Sequence, residues 1–294
     1  MNSTWLRHGE ASLHVADYGG SGPKTVILCH GLGGSHANFA ALGPLLAERA
    51  RVLAIDLPGF GLSPPGSGAD MPGFIGAIGR LFDAITSGEI EGASLPVVLV
   101  GNSMGGAVSI LAAGERGRDI EHLVLVCPAL PIVRPFDIDP RFALLIGSAM
   151  LPGYDAFLHA RLRDAGPEAL VHDMLNLTCA DKSRVPRAAV AEMIALAKKR
   201  TQFSWMATSF STASRSIART LLRQDTYRAA MRAVRAPVLL VQGDRDRLVP
   251  VSSARAALDV CPHWTLEIYE GVGHVPQLET PDRLKDSIFR FVDR

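Results

Sequence analysis

Three runs of this chain, PVVLVG at 96–101, HLVLVC at 122–127 and PVLLVQG at 237–243, are apolar almost from end to end. A strand with one face in water alternates apolar and polar residues, whereas a strand covered on both faces does not. The three runs therefore predict the interior of a parallel sheet. Further β-rich runs stand at 13–17 (LHVAD), 25–29 (TVILC), 51–56 (RVLAID) and 265–271 (TLEIYEG), and helix-like segments separate them at 37–49, 71–87, 103–115, 251–260 and 281–293. This alternation predicts the α/β class, a doubly wound and mostly parallel sheet with helices on both faces.

Between about Pro128 and Arg235 the alternation stops and the pattern turns helical. In PRAAVAEMIALAKKR, Val190, Met193, Ile194 and Ala197 recur at the spacing of one helix face. A helical block set between two strands of one sheet reads as an insertion. The expected organisation is a core of residues 1–129 and 236–294 with a helical cap, 130–235, over the strand ends. No internal repeat interrupts this plan. The insertion carries more Lys and Arg than Asp and Glu, while the remainder is acidic. Its basic residues are scattered, so pairing at the interface with the core is the simpler account of them.

A formal net charge of +1 over 294 residues gives no preference for nucleic acid. The four cysteines, Cys29, Cys127, Cys179 and Cys261, lie far apart without metal-binding spacing. Cys29 and Cys127 stand inside apolar runs, as reduced buried thiols do. The first residues, MNSTWLRHGE, lack the basic-then-apolar pattern of a secretory leader, and no run reaches membrane-spanning length. These features together predict a cytoplasmic protein, in which the N-x-[ST] matches at Asn2 and Asn176 are chance.

Gly101-Asn102-Ser103-Met104-Gly105 directly follows an apolar strand and opens a small-residue helix, AVSILAAG. In that setting G-x-S-x-G is a nucleophile elbow, a sharp turn that holds serine in a strained backbone and leaves no room for flanking side chains. An alcohol needs a base. Of nine histidines, His274 stands in a glycine-bounded loop after the last strand; His30 reads as support for its own loop. His8, His14, His36, His122, His159, His172 and His263 lack a comparable setting and read as surface or packing residues. The base needs an acid, and GDRDRLVP after the strand at 237–243 offers Asp244 and Asp246. Asp246 is the choice, one turn before the next helix, with Asp244 capping the turn. The glycine-rich turn His30-Gly31-Leu32-Gly33 after TVILC predicts an oxyanion hole formed by the N–H groups of Leu32 and Met104. No metal-binding spacing accompanies these residues, and no cofactor is called for.

HGLGGS (30–35), DLPGFGLS (56–63), GNSMGG (101–106), GDRDRLVP (243–250) and GVGHVPQLE (271–279) together resemble the α/β-hydrolase superfamily over nearly the whole chain. The resemblance implies a sheet of about eight strands with a cap inserted after the sixth. GNSMGG also resembles the carbon–carbon bond hydrolases of aromatic ring-fission products. Two features depart from that subgroup: the loop reads HGLGGS rather than HGGGPG, and Val275 rather than tryptophan follows His274. The expected activity is therefore that of a carboxylesterase or monoglyceride-lipase-like serine hydrolase acting through an acyl-enzyme, with carbon–carbon hydrolysis as the alternative. In that alternative Arg134, Arg184 or Arg187 would hold a substrate carboxylate. Phe136, Phe142, Leu144, Leu145, Met150, Phe157, Phe203, Trp205, Met206 and Phe210 in the insertion suggest a small-molecule ester with an apolar acyl part. Neither nucleic acid nor an integral membrane segment is expected, and a homodimer stays open.

Overall fold

The computed structural model describes residues 2–8, 11–66, 68–134, 139–151 and 153–294. Among them eight strands form one sheet: β1 (Asn2–His8), β2 (Ala11–Gly19), β3 (Thr25–Cys29), β4 (Arg51–Ile55), β5 (Val97–Asn102), β6 (Ile120–Val126), β7 (Val238–Gly243) and β8 (Thr265–Tyr269). Their order is β1-β2-β4-β3-β5-β6-β7-β8. The β1–β2 and β2–β4 pairs are antiparallel, and every other neighbouring pair is parallel. The predicted mostly parallel α/β sheet is the one observed.

The continuous apolar runs have the predicted cause. Ile27, Leu53, Leu99, Leu125 and Leu240 pack into one core layer, and their neighbours Leu28, Ala54, Val100, Val124 and Val241 into the layer on the opposite face. The first layer is completed by α2 (Met71–Thr86) and α3 (Met104–Arg116); the second by α1 (Leu42–Ala47) and α12 (Pro281–Val292). Helix α2 starts at Asp70, whose Oδ1 accepts the Gly73 N–H at 2.9 Å, and it carries proline in its first turn, where no N–H is missed. The helix predicted at 37–49 is instead a 3₁₀ turn, His36–Phe39, and the short α1. Pro44 cannot donate to an earlier carbonyl, so the two pieces do not join.

Between β6 and β7 the chain is helical: α4 (Pro140–Ser148), α5 (Tyr154–Ala165), α6 (Pro167–Thr178), α7 (Arg187–Arg200), α8 (Met206–Leu222) and α9 (Gln224–Ala233). Helices α10 (Val251–Val260) and α11 (Pro276–Glu279) follow β7 and β8. Met193 of α7 is buried with Val190, Ile194 and Ala197 beside it, as their spacing predicts, in a cluster that includes Val275 and Leu278. Of the ten apolar insertion residues, Phe136 lies outside the described residues, as do the side chains of Phe142 and Leu145. Leu144, Met150 and Phe157 are exposed to solvent, so they do not line an interior pocket. Phe203 stacks on Trp205, and Phe210 packs beside Gly33. All four cysteines are free and buried. No helix among the described residues is long and apolar enough to cross a membrane.

Candidate active site

Strands β3 to β8 run parallel, so their carboxyl ends share one edge, and the sequence-predicted residues follow those ends. Ser103 links β5 to α3 with φ 55° and ψ −120°, a left-handed backbone that costs a non-glycine residue about 1–3 kcal/mol. Hydrogen bonds hold it there. Ser103 N–H donates to Val126 O at 3.1 Å, and Ser103 O accepts from Gly106, Ala107 and Ala129 N–H groups. The flanking glycines are required by space. A Cβ on Gly105 would stand 2.5 Å from His30 O, and one on Gly101 would stand 2.5 Å from Gly105 O. Across the edge, a Cβ on Gly31 would meet Ser103 Cβ at 2.9 Å.

That last approach brings the turn after β3 against the serine. Gly33 adopts φ 75°, and Gly34 N–H donates to Gly31 O at 3.0 Å. The turn leaves Leu32 N–H without a backbone acceptor among the described residues. Met104 opens α3, so its N–H has no acceptor within the helix. His30 is fully buried beneath the turn, where its Nδ1–H donates to Gly31 O at 2.8 Å and its Nε2 accepts Leu57 N–H at 3.1 Å. Those two bonds define a neutral ring, and burial holds its pKa down to about 4.

His274 and Asp246 meet with Nδ1 and Oδ2 2.7 Å apart, both buried. The same Asp246 oxygen accepts from Gln242 Nε2 at 2.9 Å, while Oδ1 accepts Leu248 and Val249 N–H at 2.8 and 2.9 Å. Asp244, exposed on the same loop, does not cap its own turn as expected but accepts Gly271 N–H at 2.7 Å, tying that loop to the one after β8. The His274 loop is tied to the serine by Asn102, whose Nδ2 donates to Val126 O at 2.9 Å and to His274 O at 3.1 Å. No hydrogen bond joins Ser103 Oγ to the His274 ring among the described residues. Contacts between a nucleophile and its base are often long before substrate binds.

Several supporting groups carried no sequence signal strong enough to be singled out. Gln242 is a polar residue in an otherwise apolar strand, which is the one hint the chain offered. Cys127 follows β6 with φ 45°; its Sγ accepts Gly243 N–H at 3.5 Å, and burial, reinforced by the Asp246 charge, keeps the thiol protonated. Buried Glu279 accepts Gly273 N–H at 2.7 Å on one oxygen and the Ala180 and Asp181 N–H groups at 3.0 Å on the other. His14 and His36 are more than packing residues. Both Nδ1 atoms lie 2.8 Å from Asp56 Oδ2, which also accepts Leu62 N–H, while Asp56 Oδ1 accepts His36 N–H. These bonds hold the Asp56 carboxyl far below its ordinary range, against a burial that alone would raise it.

The chain belongs to the alpha/beta hydrolase family, whose model matches residues 26–286. It is 27% identical over 287 residues to the dihydrolipoyllysine-residue acetyltransferase component of the acetoin cleaving system of Pseudomonas putida, covering 97% of this chain and 67% of that one. It is 26% identical over 291 residues to a pimeloyl-[acyl-carrier protein] methyl ester esterase of Xanthomonas oryzae, covering 95% of this chain and 98% of that one. It shares its fold with the 2-hydroxy-6-oxo-6-phenylhexa-2,4-dienoate hydrolase of Rhodococcus sp. strain RHA1, at a TM-score of 0.74 and 20% identity over 100% of this chain and 99% of that one. Membership of this family supports an enzyme of the hydrolase class and suggests a small-molecule substrate.

Proposed function

We propose that the protein is a serine hydrolase that cleaves a carboxylic ester through an acyl-enzyme. The observation that carries this reading is the strained Ser103 turn, packed against Gly31 and tied through Asn102 to the loop of an Asp246-paired His274. Serine attacks the acyl carbon while His274 takes its proton. The oxyanion is received by the N–H groups of Leu32 and Met104, each worth roughly 3–4 kcal/mol of transition-state stabilisation in such holes. His274 then protonates the leaving alcohol, and water cleaves the acyl-enzyme by the same route. Asp246 keeps the Nδ1–H tautomer of His274 and stays ionised throughout.

Helices α4 to α9, within 130–235, act in this reading as the cap that shapes the substrate cleft. What supports this is α8, whose Phe210 packs on Gly33 and whose Ser209 is buried close to Gly59, in the loops after β3 and β4. Initial rates on p-nitrophenyl esters from acetate to palmitate, for the native protein and Ser103→Ala, test the reading. It expects a chain-length optimum that disappears in the variant. Feeble rates at every length from folded protein would overturn ester hydrolysis as the main activity. The GNSMGG elbow, with Asn102 before the serine, favours carbon–carbon hydrolysis as a second reading. Its test is product release from a ring-fission dienoate.

A further inference from the structure

Gln242 is a fully buried amide in a strand otherwise made of valine, leucine and a final glycine. Its Nε2 donates to Asp246 Oδ2 at 2.9 Å and to Val249 O at 2.8 Å. An amide NH₂ has two hydrogens, and these two acceptors use both. The reverse orientation would set Oε1 against a carboxylate and a carbonyl, so the amide has one workable placement. In that placement Oε1 is buried without a hydrogen-bond partner among the described residues. A leucine would fill the same strand position and orphan no acceptor, so packing alone does not account for the amide.

The oxygen that Gln242 reaches is the one that faces the base. Asp246 Oδ2 lies 2.7 Å from His274 Nδ1, while Oδ1 takes the Leu248 and Val249 N–H groups. The backbone donors fix one end of the carboxylate, and Gln242 fixes the other, which sets the plane in which Oδ2 meets the imidazole. Two donors also divide the charge of that single oxygen. A second donor favours the ionised carboxylate and draws charge away from the ring. Without it, Oδ2 would hold a protonated imidazole more tightly, and the base would come free only at higher pH.

We propose that Gln242 is a positioning residue of the candidate site: by sharing Asp246 Oδ2 with His274 it orients the acid and limits how strongly the acid holds the imidazolium. The inference rests on the serine-hydrolase reading for its effect on turnover, but not for its effect on the Asp246–His274 pair. Gln242 touches no reacting atom.

The other charged and titratable groups around the pair are engaged without Gln242. Cys127, after β6, stays a thiol, and Glu279 of α11 is taken up by three backbone N–H groups. On the Asp246 loop, Asp244 accepts Gly271 N–H, Arg247 donates to Asn176 O and Cys179 O, and Arg245 is exposed. Arg184 and Asp181, in a cleft beside Asp246, pair with each other. A second cleft carries exposed Arg134, Arg255 and Asp259. All of these weigh equally on the native protein and on a Gln242 variant.

Gln242→Met keeps the length of the side chain and removes both donors; Gln242→Leu, suited to a buried strand, serves where the methionine variant does not fold. Rates on the best p-nitrophenyl ester should show the acid limb of kcat/KM displaced to higher pH by about half a unit or more, with kcat lowered and KM within about twofold. A variant that merely packs less well yields fewer active molecules and leaves the limb in place. A limb that coincides with the native one overturns the proposal. The imidazole resonance of His274 in proton–nitrogen NMR spectra, assigned by its loss in His274→Ala, carries the test without a substrate. Its titration midpoint should rise by a similar interval from Ser103→Ala to Ser103→Ala/Gln242→Met. That rise upholds the role of Gln242 even where the native protein hydrolyses no ester, a result that would overturn the ester reading alone. Coincident midpoints reject the role of Gln242.

Discussion

Replacing Glu279 with glutamine changes one atom and should loosen the loop that carries His274. The carboxylate is buried at 3% exposure and accepts three backbone N–H groups, from Gly273, Ala180 and Asp181. It thereby ties the residue before His274 to the chain leaving α6. A glutamine keeps one oxygen. In its better orientation that oxygen serves Ala180 and Asp181, and the new NH₂ faces the Gly273 N–H, donor against donor. One charge-assisted bond is lost and a buried N–H is left unpaired, a combined cost of about 2–4 kcal/mol. With an unfolding entropy near 2.1 cal/mol/K per residue, a chain of 294 residues should lose roughly 3–6 °C in Tm. Because Gly273 precedes His274, kcat on the best p-nitrophenyl ester should fall more than KM rises. Scanning calorimetry and steady-state rates check both. A Tm within about 1 °C of the native value, with kcat unchanged, would refute the reasoning.

Other contacts around the candidate site lead to further expected outcomes. His30 is held neutral, with its pKa at about 4 against an ordinary value near 6.5, so as pH falls the unfolded chain takes up the proton first. Its contribution to stability, up to about 3 kcal/mol, should be lost between about pH 6.5 and 4, and urea unfolding of His30→Gln across that window should show a shallower decline. The lowered Asp56 carboxyl adds a second loss at lower pH, from the ordinary carboxylate range downward. Asn102→Ala strips the donors from Val126 O and His274 O and should lower both Tm and kcat; Asn102→Asp should be worse, since a carboxylate there faces two carbonyl oxygens. Gly105→Ala should destabilise by about 1–3 kcal/mol, because its methyl meets the backbone of β3, and an unchanged Tm would contradict the packing account.

What the chain made legible was local. The buried strands announced themselves because both faces are covered, and Ser103, Asp246 and His274 because each follows a strand end amid turn residues. Strand β1 escaped because it is the edge of a hairpin, with Trp5 left 42% exposed and few apolar residues to form a pattern. The helix expected at 37–49 broke at Ala40 and Ala41, one turn before Pro44. The groups that support the candidate site were illegible for a different reason. His14 meets Asp56 across 42 residues, Ala180 meets Glu279 across 99, and Arg200 meets Gly33 across 167. No hydrophobic period or turn signal encodes such partners; only the folded sheet brings them together.

The most direct test of Ser103 as the nucleophile is covalent capture. The protein is incubated with a fluorophosphonate, and the modified peptide is located by mass spectrometry. The account predicts one adduct per chain, on Ser103, formed quickly by the native protein and far more slowly by His274→Ala. Folded native protein that takes up no label, or takes it up on another residue, would contradict it.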